Sequence, residues 1–334
     1  MIIVQSYAAA VFLCFVTMLC WGSWANTQKL AGREWRFQLY YWDYALGVLL
    51  LSVLLGFTLG STGDAGRGFA ADLGQAGSGA LWSAFLGGVI FNLSNILLVA
   101  AIDIAGLAVA FPIGVGLALV LGVVTNYVAA PVGNPVLLFL GVAGVALAIV
   151  VDAVAYRRLP SQGQRSTGKG IAISISAGVL MGFFYRFVAD SISADFVNLE
   201  AGKLGPYAAV FVFSLGLFAS NFAWNSIVMA RPFVGEPVSF GDYFRKGNAR
   251  LHGVGILGGV IWGLGMSLSI LASGAAGFAI SYGLGQGATM VAALWGVFIW
   301  KEFRGAPAGT NSLLTMMFGG YVVGLGLIIL SRFA

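Results

Sequence analysis

The sequence predicts an all-α integral membrane protein: ten transmembrane helices arranged as an inverted five-plus-five structural repeat. Three observations lead there. The 334 residues are 59% hydrophobic and only 9% charged, with a mean hydropathy of +0.93, whereas soluble domains carry about a quarter charged residues. Apolar runs long enough to cross a bilayer follow one another along the whole chain. One stretch of the first half also recurs in the second.

In chain order the spans are expected near residues 7–28, 38–60, 80–102, 105–129, 135–155, 169–190, 206–230, 251–272, 275–299 and 310–331. Met1 to Leu19 contains no Lys or Arg, so the first run lacks the basic start of a secretory signal and reads as a retained helix. Spans 3 and 4, 4 and 5, and 8 and 9 are joined by loops of a few residues, which makes them antiparallel neighbours. The longest polar breaks, Thr62 to Ser78 and Arg231 to Gly247, are too short to fold alone. The expected halves are residues 1–156 and 157–334.

The net charge of +5 does not indicate nucleic acid, because the basic residues sit singly or in small groups beside apolar runs. Of the 17 Lys and Arg, 13 fall on one side of this topology: Lys29, Arg33, Arg36, Arg157, Arg158, Arg165, Lys169, Arg231, Arg245, Lys246, Arg250, Lys301 and Arg304. Arg67, Lys203, Arg332 and Arg186 fall toward the other. The positive-inside rule then predicts a multi-pass inner or plasma membrane protein with both termini outside the cytoplasm. Cys14 and Cys20 lie on different faces of one helix, far from metal-ligand spacing. No metal or cofactor is expected.

A shift of 171 residues superposes LGGVI at Leu86 to Ile90 on LGGVI at Leu257 to Ile261, and AGLAVAFPIGVG (105–116) on AGFAISYGLGQG (276–287). From 86 to 116 the shift gives 13 identities in 31 positions. Five spans per half is an odd number, so the second copy must enter the membrane upside down, an arrangement found in secondary transporters.

Several residues carry a family likeness. The five-plus-five pattern, the Y-W-D-Y segment at Tyr41 to Tyr44, the G-x-G of spans 4 and 9, and GQGATMVAALWGVFIWKEFRGAP from Gly285 to Pro307 resemble the drug/metabolite transporter superfamily. Within it they resemble the glucose/ribose porter and ureide permease branch, to which rhamnose–proton symporters are related. That resemblance implies a carrier of sugars, or of allantoin and nucleobase-like ureides, commonly driven by protons. Many superfamily members are drawn with cytosolic termini; the charge count here argues the opposite.

Solutes of inverted-repeat carriers bind near the midplane, where helices are interrupted at corresponding places. The shift matches Phe111-Pro112-Ile113-Gly114 of span 4 with Tyr282-Gly283-Leu284-Gly285 of span 9, and both helices are expected to bend there. Tyr282, Gln286 and Thr289 are spaced to form one stripe. Asn92 with Asn95, and Asn221 with Asn225, present paired amides that suit the hydroxyls of a sugar or the N–H and C=O groups of a ureide. Interhelical hydrogen bonding is the other reading of each pair. Trp21, Trp24 and Gln28 share a stripe on span 1, for stacking on a solute or for an interfacial belt. Asp43, about five residues inside span 2, is the expected ion-coupling group, the alternative being a snorkelling acid paired with Arg36 or Lys29. Arg186 and Asp190 stand one turn apart as a gate or a structural ion pair, with Tyr185 lining the same region. Ser267 and Ser269 read as packing residues and the lone His252 as structural. The Lys301-Glu302-Phe303-Arg304 group is expected to fix helix depth.

The favoured function is secondary active transport of a small uncharged polar solute, a sugar first, by alternating access at a site formed by spans 1, 3, 4, 6, 8 and 9, with proton-coupled uptake. No phosphate-binding G-x-x-x-x-G-K-[ST] run is present, and no carboxylate pair, His cluster or Ser/His set suggests an enzyme. A ureide or nucleobase permease, a drug or metabolite exporter and a non-transporting receptor remain alternatives. The sequence carries no signal for oligomeric state.

Overall fold

The computed structural model describes residues 1–32, 35–159 and 168–333; Arg33 and Arg165 of the charge count lie outside them. Among the described residues, ten helices are long and apolar enough to cross a membrane. α1 (Tyr7–Ser23) and α2 (Ala25–Ala31) make span 1, and α3 (Phe37–Phe57) makes span 2. After the short α4 (Phe69–Gln75), spans 3 to 7 are α5 (Ser78–Ala105), α6 (Leu107–Ala129), α7 (Pro135–Arg157), α8 (Gly168–Ser191) and α9 (Pro206–Ala230). The short α10 (Phe240–Lys246) precedes span 8, α11 (Ala249–Ala276). Span 9 is α12 (Phe278–Gly285), α13 (Ala288–Leu294) and a π-helical turn, Trp295–Ile299; span 10 is α14 (Thr310–Leu330). All backbone polar groups of a lipid-crossing segment must be paired within it, which is why the apolar runs become helices.

The backbone repeats itself at the same shift as the sequence. α4 and α10 are seven residues each and start 171 apart, at Phe69 and Phe240. The hairpins α5–α6 and α11–α12 turn on Gly106 (φ 80, ψ 157) and Gly277 (φ 85, ψ 150), also 171 apart. That backbone region is essentially closed to residues with a Cβ. Further positive-φ glycines recur at nearly the same interval: Gly32 with Gly202, Gly63 with Gly235, and Gly133 with Gly305. Packing partners exchange as well. α5 packs on α8 as α11 packs on α1, α3 packs on α11 as α9 packs on α5, and α7 pairs with α14.

The second glycine of each LGGVI run sets these close approaches. A Cβ on Gly88 would stand 2.0 Å from the Phe213 carbonyl oxygen, and one on Gly259 2.0 Å from that of Tyr44. Small residues let membrane helices pack backbone to backbone where lipid offers no hydrophobic drive for association.

Two expectations about helix shape are corrected. Span 4 does not break: α6 continues through Pro112, in its second turn, so the proline deprives only one early carbonyl of its partner. Span 9 does break, after Gly285. Gly287 N–H donates to Leu284 O, Thr289 N–H to Gln286 O and Met290 N–H to Gly287 O, a tightened turn of i to i−3 bonds. Further on, Trp300 N–H reaches back to Trp295 O across the widened π turn. Tyr282, Gln286 and Thr289 therefore do not share one continuous helical stripe. The two polar breaks, too short to fold alone, each hold one short helix, α4 and α10.

Candidate functional site: a buried aromatic and amide centre

The middle of the molecule is an aromatic cluster drawn from seven spans. Trp262 of α11 stacks on Phe91 of α5 at 4.3 Å, on Trp21 of α1 at 5.9 Å and on Phe213 of α9 at 6.0 Å. Tyr44 of α3 lies 5.0 Å from Trp24 and 5.1 Å from Tyr41. Through Phe184 the cluster continues to Tyr185 and Tyr282, whose rings are 5.0 Å apart. Tyr41, Tyr44, Phe213, Tyr185 and Tyr282 are all fully buried, whereas Trp21 and Trp24 are half-buried. Spans 2 and 7 join five of the six expected from sequence, and the sixth, span 4, gives no ring to the cluster among the described residues. Phe111 and Pro112 are half-buried, and Phe111 packs against the core without a ring contact among the described residues. Span 4 does offer a floor: the Tyr282 ring rests where a Cβ on Gly122 would come within 2.1 Å.

The amides border this cluster. Asn95 Nδ2 donates to the Tyr41 hydroxyl at 3.1 Å. Asn92 Nδ2 donates to Leu217 O and Ser220 Oγ, and Asn225 Nδ2 to Gln38 O. These bonds tie α5, α9 and α3 together, yet they leave acceptors and donors unused. Among the described residues, Asn92 Oδ1, Asn225 Oδ1, both amide atoms of Asn221 and the Tyr44 hydroxyl are buried without a hydrogen-bond partner. Leaving such a group unpaired costs about 1–3 kcal/mol. Nearly all buried polar groups in folded proteins are paired, so five orphan atoms in one region are what a polar ligand would complete.

Tyr185 does not belong with the rim pair as expected. It points inward, its hydroxyl 3.0 Å from Ser269 Oγ, which in turn meets Ser281 Oγ at 3.2 Å. Ser269 is thus part of a buried hydroxyl chain and not merely a packing residue. Ser267 donates back to Gly263 O in its own helix. The Tyr282 hydroxyl donates to Ala118 O and Met181 O. Gln286 is buried at the break of span 9, and Thr289 Oγ1 donates to Gln286 O. Trp21 Nε1 donates to Trp262 O. Arg186 and Asp190 form an ion pair at the partly exposed end of α8.

Asp43 is paired with neither Arg36 nor Lys29. Arg36 donates to the carbonyls of Val234 and Glu236, and Lys29 binds Glu302 at 2.9 Å. Asp43, only 1% exposed, instead accepts from the Tyr243 hydroxyl at 2.5 Å and meets His252 Nδ1 at 3.0 Å from each carboxylate oxygen. Burial, then the Asp43 carboxylate, push the Tyr243 phenol above its ordinary range, so it stays a donor. Trp35 closes over the set, edge-on to His252 at 5.3 Å and 5.7 Å from Tyr243. Gly255 makes room: a Cβ there would come within 2.4 Å of Asp43 Cβ. His252, read as structural from sequence, and Tyr243, not singled out, are the residues that sequence reasoning missed here. The signal lay in their unusual company at one membrane edge, not in any spacing, since Asp43 and His252 are 209 positions apart.

These features define a multi-pass helical membrane protein with a closely packed aromatic and amide centre. A family model for ureide permeases matches residues 157–331, more than half of the chain, and the chain belongs to that family. Ureide permease 1 of Arabidopsis thaliana is 24% identical over 99% of both chains, and ureide permease 2 of the same plant is 25% identical over 95% of both. Ureide permease 3 is 26% identical over 84% of this chain and 89% of its own. One solved crystal structure is similar in fold, with a TM-score of 0.57 and 14% identity, covering 97% of this chain and 98% of its own. These matches reverse the order of solutes expected from sequence: they give no support to a sugar and favour the ureide alternative.

Proposed function

We propose that the protein carries a small, uncharged ureide or nucleobase-like solute across the inner or plasma membrane, by alternating access of two inverted five-helix halves, 1–156 and 157–334, coupled to protons. The family supports the ureide class, and the orphan amide atoms carry the reading at the level of residues. A ureide alternates N–H donors and C=O acceptors on a flat frame, and free amide donors and acceptors beside stacked rings complement both properties. Asn92, Asn95, Asn221 and Asn225 would read the edge of the solute, with Tyr41, Tyr44, Trp21, Trp24 and Trp262 against its face. Tyr185, Tyr282, Gln286 and Thr289 would form the side that moves with the broken span 9. Phe111 and Pro112 would act through the packing of span 4.

The recurrence of α4 and α10 and of the hinge glycines supports the two halves. The charge asymmetry supports termini outside the cytoplasm. Membership of the drug/metabolite transporter superfamily rests on the Y-W-D-Y and G-x-G motifs and on the exchange of packing partners. Asp43, sharing its carboxylate between a phenol and an imidazole, would hold the coupling proton; Arg186 and Asp190 would latch the opposite rim.

The test is uptake of radiolabelled allantoin, uracil, glucose, ribose and rhamnose into proteoliposomes, each with and without an inward proton gradient. Gradient-stimulated accumulation of allantoin or uracil alone is expected. Accumulation of a sugar in their place overturns the ureide reading, and accumulation indifferent to the gradient overturns proton coupling.

A further inference from the structure

A second carboxylate lies buried inside the spans. Asp152 of α7 is 7% exposed, and its Oδ1 is shut from solvent with no hydrogen-bond partner among the described residues. No Lys, Arg or His forms an ion pair with it among those residues. The elements around it supply hydroxyls and one more acid. From α14, which packs on α7, comes Tyr321, fully buried, with the Thr289 hydroxyl of span 9 beside its own and its ring on the same side as Asp152. One turn along α7 stands Tyr156. From the end of span 9 comes Glu302, whose charge also reaches Asp152. α6, the remaining neighbour of α7, carries no Asp, Glu, Lys, Arg or His.

Glu302 is already satisfied. Its Oε1 takes Lys29 Nζ at 2.9 Å and its Oε2 takes the Tyr156 hydroxyl at 2.8 Å. That leaves Asp152 as the acid with no cation of its own. A buried charge without a partner is strongly unfavourable, and a second negative charge nearby adds to that. A protonated carboxyl removes both difficulties. A neutral carboxyl needs no counter-ion, and its O–H is a hydrogen-bond donor where the ionised group has none.

The site is also wired to the element that breaks at the solute centre. Gly296, in the π turn, packs so closely that a Cβ there would stand 2.5 Å from the Tyr156 hydroxyl and 3.0 Å from Glu302 Oε2. The chain then leaves span 9 through Lys301 at φ 52, a left-handed conformation unfavourable outside glycine, and so turns Glu302 back onto Tyr156. Such π turns concentrate at functional sites. Asp152 and Tyr156 share one face of α7, so a change at the first is felt by the partner of Glu302.

We propose that Asp152 is a second proton-binding site, taking up and releasing one proton between α7 and α14 and biasing the interrupted span 9 through the Tyr156–Glu302 contact. It rests on the proton-coupled reading above only for its role in transport; the binding itself is independent of any solute.

Two measurements separate these parts. Infrared difference spectra of the purified protein in lipid, between acidic and alkaline buffer, are expected to show a protonated-carboxyl stretch. Asp152→Asn should remove it, Asp152→Glu should restore it at a shifted frequency, and Asp43→Asn should leave it in place. In proteoliposomes, Asp152→Asn is expected to retain exchange of internal for external radiolabelled allantoin and to lose accumulation driven by a proton gradient. A difference spectrum unchanged in Asp152→Asn overturns the proposal. So does gradient-driven accumulation equal to that of the unmodified protein, or dependence of that accumulation on a sodium gradient alone. Should Asp152→Asn not fold, the Asp152→Glu spectrum decides. If even the unmodified protein moves no allantoin, the ureide reading fails while the infrared result still decides the proton site.

Discussion

Asn221 offers a sharp distinction between packing and recognition, because both ends of its amide are buried and unpaired among the described residues. Replacing such a group by an apolar one of similar size removes a penalty of about 1–3 kcal/mol. Asn221→Leu is therefore expected to melt at the same temperature or higher while losing ureide uptake. A destabilised variant that still transports would make the amide a packing residue. Asp43 gives a second contrast at this scale: Asp43→Asn should keep exchange of labelled for unlabelled solute and lose accumulation against a gradient. The amide pairs and Asp43 were legible in the sequence because lone polar residues stand out within apolar runs. Their partners were not. Asp43 meets a histidine 209 positions away, and only the packing of α3 against α11 brings the two together. Asp152 was legible in principle, as it stands one helical turn before Tyr156, but nothing in the spacing says that its neighbours would lack a cation.

At the scale of the element, hydropathy located the helices well because a span must pair its own backbone. Span 7 runs from Pro206 to Ala230 as expected, and span 10 from Thr310 to Leu330 against an expected end at 331. Helix interruptions were harder to read. Proline is the stronger breaker by propensity, yet α6 tolerates Pro112 near its start, while span 9 gives way at Gln286 and Gly287 without one. The hairpin glycines make a quantitative prediction. Gly106→Ala and Gly277→Ala should each destabilise the purified protein by about 1–3 kcal/mol, since their backbone region excludes a Cβ. Equal losses of thermal stability would reflect their equivalent geometry, and an unaffected variant would show that the turn can be remade. In α10, Lys246, with Ser239 after it, holds the Asp242 carboxyl well below the usual range. A depressed carboxyl contributes only while ionised, so the cap persists at neutral pH and is lost as acid takes the pH down through that low value. Asp242→Ala should accordingly speed amide hydrogen exchange across Phe240–Lys246 at neutral pH, with little further change on acidification.

For the molecule as a whole, the repeat was visible as a 31-residue alignment, and the structure extends its period to the short helices and to the hinge glycines of the other loops. Orientation can be tested directly. Cys14 and Cys20 are buried, so the native background is quiet. Thr62→Cys, in the exposed loop on the side of the termini, should react with an impermeant maleimide added outside cells, and Glu236→Cys, at the basic end, only after permeabilisation. The opposite pattern would place the termini in the cytoplasm.

The two short helices carry a consequence of their own. Position 72 of α4 corresponds, at the 171 shift, to position 243 of α10, and each reaches across to fasten a different span at an opposite end of the molecule. Asp72 accepts the Gly205 N–H at 2.6 Å at the start of α9 and is held by Arg67, while Tyr243 donates to Asp43 in α3 alongside His252. One fastening joins a carboxylate to a guanidinium and a backbone amide; the other joins a carboxylate to a phenol and an imidazole. A backbone that looks the same when turned over is thus given a forward and a reverse by a handful of side chains, as a ratchet is by the slant of its teeth.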